Sequence, residues 1–399
     1  MNYSGKLIDQ IKALSESFFE DIQAIRHHLH SNPELSFQEF KTADFIGEKL
    51  REMGVTNLER KATTGIVFTL EGSTSGKTIA LRADIDALPI REQNTVNYKS
   101  THEGVMHACG HDVHTASLLG AVRILNELKE HWNGTIKVIF QPGEEKLPGG
   151  ASMLIEEGVL EKPKPAAILG QHVMPLIDVG KVGFRSGKYM ASADEIYFTV
   201  KGKGGHGAMP ETGIDPVVIT CHIIIALQQI VSRSASPKIP SVLSFGRVQA
   251  DGATNVIPDE VKVDGTFRTF DEQWRAEAKA KMKKMAEGIA ESMGATCEFT
   301  IVDGYPFLKN NPEYTERNRQ AAISYMGEEN VEELDLWMAA EDFSFYSQHT
   351  NACFYRLGTR NEAKGITSGV HTPTFNIDEE ALKTGMGLMA WLAISELVN

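Results

Sequence analysis

The chain predicts an α/β fold: a mostly parallel-sheet domain interrupted by an inserted ferredoxin-like α+β domain. Three observations predict it. Short apolar runs alternate with amphipathic helical patterns through the first half of the chain, which marks parallel strands joined by helical crossovers. A middle segment reads β-α-β-β-α-β, the order of a split βαβ unit. Strand signals resume afterwards, so the second domain interrupts the first.

Taken in order, residues 8–30 form an amphipathic helix that stops before Ser31-Asn32-Pro33, and residues 39–53 form a second, closed by Gly54. A strand at 78–83 ends in Asp84-Ile85-Asp86. Helical spacing of Leu118, Leu119, Val122, Leu125 and Leu128 predicts a helix over 115–128. A strand at 135–140 turns through Pro142-Gly143 into Glu144-Glu145, and a short strand at 166–169 delivers Gln171-His172. In open sheets of this type ligands bind beyond the carboxyl ends of the strands, where Asp84, Asp86, Glu144, Glu145 and His172 are all expected. The inserted segment predicts strands at 195–201, 241–249, 260–269 and 295–302, with helices at 216–232 and 272–293. A strand at 353–357 follows, with His371 in the loop beyond it. The expected domains are therefore 1–187 with 303–399, and 188–302.

The chain has 399 residues, enough for a substantial core, and its 42% hydrophobic and 23% charged content is that of a soluble globular protein. A formal charge of -13 removes any electrostatic reason for nucleic-acid or anionic-membrane binding. Four widely spaced cysteines without a Cys-x-x-Cys pair make no disulfide framework and fit a reducing compartment. The N-terminal segment alternates charged and apolar residues instead of the basic-then-apolar order of a signal peptide, and no run approaches membrane-spanning length. A cytoplasmic protein is expected.

The chemistry concentrates in Met106–His114, which holds three histidines, a cysteine and an aspartate in nine residues. One histidine alone is ordinarily a hydrogen-bonded structural residue. Together with Glu144-Glu145, His172 and His371, the set combines soft and borderline metal ligands with adjacent carboxylates, which points to a metal site that activates water. Cys109 and His111 are one residue apart and cannot share a helix face, so Gly110 places them on a loop or first turn that can fold both towards one ion. There the cysteine would bind as thiolate. The alternative, a covalent Cys109 nucleophile paired with His111 or His107, leaves Glu144-Glu145, His172 and His371 unused. His107 and His114 are expected in supporting roles. Adjacent glutamates point in different directions, so one can ligate metal while the other acts as general base. The glycine-rich loop Gly202–Pro210 lacks the phosphate-loop pattern; its glycines display His206 at a loop tip, where it could donate to a developing oxyanion.

The stretches RHHLHSNPELSFQE, LRADIDALPI, MHACGHDVHTA, FQPGEE, GQHV, GKGGHGAMP, TNVIPDEV, GTFRT, AAEDFS and GVHTPTF run in order from Arg26 to Phe375. Together they resemble the aminoacylase, hippurate hydrolase and indoleacetyl-amino-acid hydrolase branch of the dinuclear metallopeptidases related to carboxypeptidase G. The resemblance implies two divalent metal ions (manganese or zinc, with cobalt or nickel as other occupants) held by Cys109, His111, Glu145, His172 and His371. It implies Glu144 as general base, Asp86 as an orienting aspartate, and substrate contacts from His206, Asn255 and Arg268, whose planar fork suits a carboxylate. It further implies that the inserted domain serves as a lid and as the interface of a homodimer. The glycine-rich loop departs from the family pattern at Gly207 and Glu211, where the family usually has alanine and histidine, which weakens any carry-over of fine substrate preference. The expected activity is metal-dependent hydrolysis of small-molecule N-acyl amino acids to a carboxylate and a free amino acid. A dipeptidase or carboxypeptidase on the same scaffold, or a non-catalytic binding protein, are the competing readings. No nucleic-acid or membrane partner is expected.

Overall fold

The structure, a computed structural model, describes residues 3–398. The chain divides into two compact units. The first comprises Met1–Gly187, Lys309–Asp335 and Phe345–Asn399, and the second Lys188–Leu308 and Leu336–Ser344. The second unit thus extends past the residue-302 limit read from sequence and takes in a further segment at 336–344.

The first unit is built on an eight-stranded sheet. In spatial order its strands are Glu59–Lys61, Gly65–Glu71, Thr135–Gln141, Thr78–Asp84, Ala167–Asp178, Asn351–Arg360, Val182–Phe184 and Val331–Glu333. The centre is parallel: Thr78–Asp84 pairs in parallel with Thr135–Gln141 and Ala167–Asp178, and Ala167–Asp178 with Asn351–Arg360. The first edge is antiparallel, through Gly65–Glu71 on Thr135–Gln141. Ile79 to Asp84 are buried without alternation, as a parallel strand covered on both faces requires. Ile79, Leu81, Val138 and Leu169 of the sheet share one core with Leu118, Val122 and Leu125 of the His111–Glu127 helix and with Leu388 and Leu392 of the Ala381–Leu397 helix.

Two elements differ from the sequence reading, both at the ligand-rich end. The helix expected at 115 begins at His111, because Gly110 takes a left-handed conformation (φ 82°) and starts the helix in its place. The strand expected at 166–169 is the 12-residue Ala167–Asp178. Its ladder with Thr78–Asp84 stops at Arg82↔Gly170, whereas that with Asn351–Arg360 continues. His172 therefore lies inside a strand, yet beyond the point where one neighbour has ended.

The second unit has a four-stranded antiparallel sheet in the order Ser241–Gln249, Glu260–Thr269, Asp194–Lys201, Thr296–Asp303. With helices Pro216–Gln229 and Glu272–Ser292 this is the ferredoxin-like arrangement read from the sequence. Asp215 starts the first helix by accepting from the Val217 and Val218 N–H groups, and Asp271 starts the second by accepting from Trp274 N–H. A π-turn prolongs the first helix to Ser234, and Pro216–Ser234 is long and apolar enough to cross a membrane, against the reading that no run approached that length. Its Ile219, Ile223, Leu227 and Ile230 pack into the core of the unit with Val261, Val263 and Phe267 of the sheet.

Candidate metal centre

Three local features bring the ligand-type side chains together. Gly110 is required where it stands: besides its positive φ, a Cβ there would meet Val173 Cγ2 at 2.6 Å. It separates Cys109 from His111, so that one side chain leaves the loop and the other the first turn of the helix. The Pro142-Gly143 turn follows the Thr135–Gln141 strand and presents Glu144 and Glu145. His371 is held at φ 61°, a left-handed conformation costing about 1–2 kcal/mol for a residue with a side chain. Its N–H donates to Ala108 O at 2.7 Å, which ties the C-terminal loop to the residue before Cys109.

Cys109 Sγ lies 3.4 Å from His172 Nε2 and 3.3 Å from His371 Nε2. Glu145 Oε1 is 3.3 Å from His371 Nε2 and 4.0 Å from His111 Nε2. Ligand atoms of Cys109, His111 and His172 fall within 4.8 Å of one another, as do those of Cys109, Glu145 and His371, and those of His111, Glu144 and Glu145. The three sets overlap, so the five residues expected as ligands converge, and Glu144 meets them on the His111 side. Their hydrogen bonds leave the right nitrogen exposed to an ion. His111 Nδ1–H donates to Asp86 O at 2.8 Å and faces Asp86 Oδ1 at 3.1 Å, and its Nε2 is buried with no hydrogen-bond partner. His172 Nδ1–H donates to Val173 O at 2.8 Å, which leaves Nε2 turned to the thiol. A buried acceptor nitrogen with no donor, amid a thiol and two carboxylates, fits divalent metal.

His114 is occupied otherwise. Its Nδ1 contacts Asp84 Oδ1 at 2.5 Å and its Nε2 accepts from the Val173 N–H at 2.9 Å. Asp84 is in turn held by Arg82 Nη1 at 2.6 Å. His107 is buried with neither ring nitrogen hydrogen-bonded, and burial pushes it down to about 4. Asp86 has a second task beyond His111, as its Oδ2 accepts from Ser36 Oγ at 2.6 Å and from the Glu145 N–H at 3.0 Å. Sequence reasoning assigned no role to Ser36 or Arg82; the run SFQE was the available signal for the first.

Burial and the neighbouring carboxylates set the protonation of these groups. Burial, then the charges of Glu145, Glu144 and Asp84, raise the Cys109 thiol well above its ordinary value. Burial lowers His111, but Asp84 and Asp86 more than offset it and bring it up to about 10. Burial and the nearby Arg356 charge keep His172 neutral. A divalent ion reverses the first two effects by favouring thiolate and neutral imidazole.

The second unit holds the other three expected residues. His206 and Asn255 are brought together: His206 pairs with Val256 in a two-stranded ribbon, and the Gly207 N–H donates to Asn255 O at 2.9 Å. Both are exposed. Arg268, half-buried on Glu260–Thr269, donates from Nη1 to Met338 O at 3.3 Å.

A buried thiol, imidazoles and paired carboxylates meeting beyond the strands of a parallel sheet define a metal-dependent hydrolase. Residues 80–395 match peptidase family M20/M25/M40, and the chain belongs to that family, in which dinuclear metal binding is typical. It is 39% identical to thermostable carboxypeptidase 2 of Saccharolobus solfataricus over 391 residues, covering 97% of this chain and 98% of that one. It is 43% identical to the N-acyl-L-amino acid amidohydrolase of Geobacillus stearothermophilus over 297 residues, 74% of this chain and 80% of that one. The crystal structure of the Bacillus subtilis YXEP protein, a dinuclear metal binding peptidase from the M20 family, superposes with a TM-score of 0.81 at 35% identity, covering 96% of this chain and 99% of that one.

Proposed function

We propose that this enzyme hydrolyses N-acyl amino acids, releasing a carboxylic acid and the free amino acid. The observation that carries the reading is the parting of the two glutamates: Glu145 Oε1 lies between His371 and His111, while Glu144 joins the cluster on its His111 side. Cys109, His111, Glu145, His172 and His371 would hold two divalent ions, manganese or zinc, with cobalt or nickel as substitutes. Bound there, such ions supply Lewis-acid polarisation of the amide carbonyl and lower the pKa of water. Glu144 Oε takes the proton of the attacking water and returns it to the leaving nitrogen. Asp86 fixes the ring of His111 by accepting from its Nδ1–H at the backbone carbonyl and Oδ1, and fixes the backbone at Glu145 through Oδ2.

In the same proposal His206 donates to the developing oxyanion, and Asn255 and Arg268 hold the substrate, the guanidinium taking its free carboxylate. The second unit is also the dimerisation module. Exposed apolar residues on its surface, Ile225 (71% exposed) and Val218 on the apolar helix and Val248 on the edge strand Ser241–Gln249, support that reading. Four free thiols fit a cytoplasmic location.

A carboxypeptidase or dipeptidase is the second reading, favoured by the identity to thermostable carboxypeptidase 2 across almost the whole chain. The presence of Glu144 beside a complete ligand set argues against a non-catalytic binding protein. Purified enzyme assayed with N-acetyl amino acids, N-benzoyl amino acids and unblocked dipeptides, each with defined added metal, separates the readings. We expect the highest kcat/KM on an N-acyl amino acid. Preference for dipeptides would overturn the substrate class, and binding without turnover across the panel would overturn the hydrolase reading of the site.

A further inference from the structure

The run Ser36–Glu39 has no part in the reading above, yet it grips the turn that carries Glu144 from both sides. Phe37 adopts φ 65°, a conformation that L residues with side chains rarely take. Its ring lies over Gly143, so close that a Cβ built on that glycine would come within 2.2 Å of Phe37 Cε1; Gly143 itself has φ 57°. The Gly143 N–H donates to Glu39 Oε1 at 2.8 Å, and Glu39 Oε2 accepts from Thr64 Oγ1 at 2.7 Å. Glu39 and Thr64 are both fully buried, at 0% exposure. On the far side of Glu144, the Glu145 N–H donates to Asp86 Oδ2, the same oxygen that accepts from Ser36 Oγ.

Glu144 therefore stands between two pinned amides, Gly143 and Glu145, and both pins lead back to one four-residue segment. A carboxyl group buried this completely is costly unless it is hydrogen-bonded, and the Glu39 oxygens are satisfied by Gly143 N–H and Thr64 Oγ1. What Glu39 fixes is the residue before Glu144. We propose that Ser36–Glu39 is a positioning clamp, with Glu39 as its principal residue, that sets the Glu144 carboxylate for proton transfer. This rests on the reading of Glu144 as general base. Glu39 touches no reacting atom; it acts through the Gly143 amide. Glu145, on the proposed metal side, keeps its own anchor on Asp86, so loss of Glu39 should slow turnover and leave metal binding in place.

The test compares Glu39→Ala, Glu39→Gln and Thr64→Val with Glu144→Gln as control. It measures kcat and KM on an N-acyl amino acid turned over by the parent, metal bound per chain, and hydrogen exchange of the segment 141–150 in metal-free protein. Glu39→Ala should lower kcat by roughly 10²-fold through misplacement of the base, with metal content unchanged and faster exchange in the turn. KM should move less than about threefold, because ground-state binding is untouched. Glu39→Gln keeps an acceptor for Gly143 and a donor for Thr64, and should restore most of kcat and the slow exchange. Thr64→Val removes only the hydroxyl that orients Glu39 and should give an intermediate loss; it carries the test if Glu39→Ala does not fold. Parent-like kcat in Glu39→Ala or Thr64→Val, or a loss in Glu39→Ala that follows loss of metal, overturns the clamp. If Glu144→Gln is inactive while Glu39→Ala is normal, the clamp alone fails; if Glu144→Gln is active, the reading of the base fails first.

Discussion

The ligand cluster of the first unit and the glycine-rich loop of the second carry histidines under opposite conditions. His111 is 1% exposed, and its ring is set by two oxygens of Asp86, which is itself held by Ser36. His172 is set by the Val173 carbonyl, and His114 beside it is locked between Asp84 and the Val173 N–H. His206, by contrast, is exposed, and its Nδ1 accepts from the Ala208 N–H of its own loop at 3.1 Å. Asn255 next to it is exposed as well. Groups that must present fixed lone pairs to an ion are over-determined by a surrounding layer of hydrogen bonds. His206 and Asn255, read as touching substrate, sit exposed on a glycine-rich ribbon without such a layer. On the proposed reading, the first region carries the reaction and the second the contacts to substrate.

If that division is right, substitutions in the two regions should separate by their effect on metal. The largest effect is expected for Glu144→Gln, which should retain metal yet lower kcat by about 10³–10⁴-fold; near-normal turnover would break the account of the first region. His206→Ala comes next, with kcat reduced by about 10²–10³-fold, the scale of one lost oxyanion donor, and metal content unaltered. Loss of metal in that variant, measured by elemental analysis, would dissolve the contrast between the regions. Asp86→Ala should weaken metal affinity by about 10–100-fold, as removal of a group that orients a ligand does, read by titrating metal into the metal-free protein. The smallest effect is expected for Arg268→Lys, which loses the bidentate fork: KM should rise by about tenfold with kcat nearly constant. A fall in kcat at constant KM would mean that Arg268 is not a substrate anchor.

The two regions also differed in how far they could be read from the sequence. The parallel centre of the sheet and the β-α-β-β-α-β insert follow from periodicity, which burial enforces. That Cys109, His111, His172, His371 and the Glu144-Glu145 pair belong to one metal site followed from ligand type, helped by the strand-end position of His172 and the glutamates, because the chemistry of an ion restricts which residues can hold it; Glu145 as ligand and Glu144 as base came from the family resemblance. What escaped is set by long-range or backbone geometry. The start of the helix at His111 depends on the left-handed Gly110 and on Val173, 63 residues from Gly110 in sequence. The length of Ala167–Asp178 depends on a partner strand near the C-terminus. Segment 336–344 belongs to the second unit through contacts that no local pattern announces. Ser36 and Glu39 act through oxygen-to-amide bonds across the fold, and nothing in SFQE itself says which amide is held.

The central claim is that amide hydrolysis here depends on metal held by the Cys109 cluster and not on a cysteine nucleophile. The most direct measurement is turnover of an N-acyl amino acid by the purified enzyme after exhaustive chelation, and again after manganese or zinc is added back. The account predicts that chelation abolishes activity and that metal restores it with about two ions bound per chain. Turnover that survives chelation with no metal bound would contradict it.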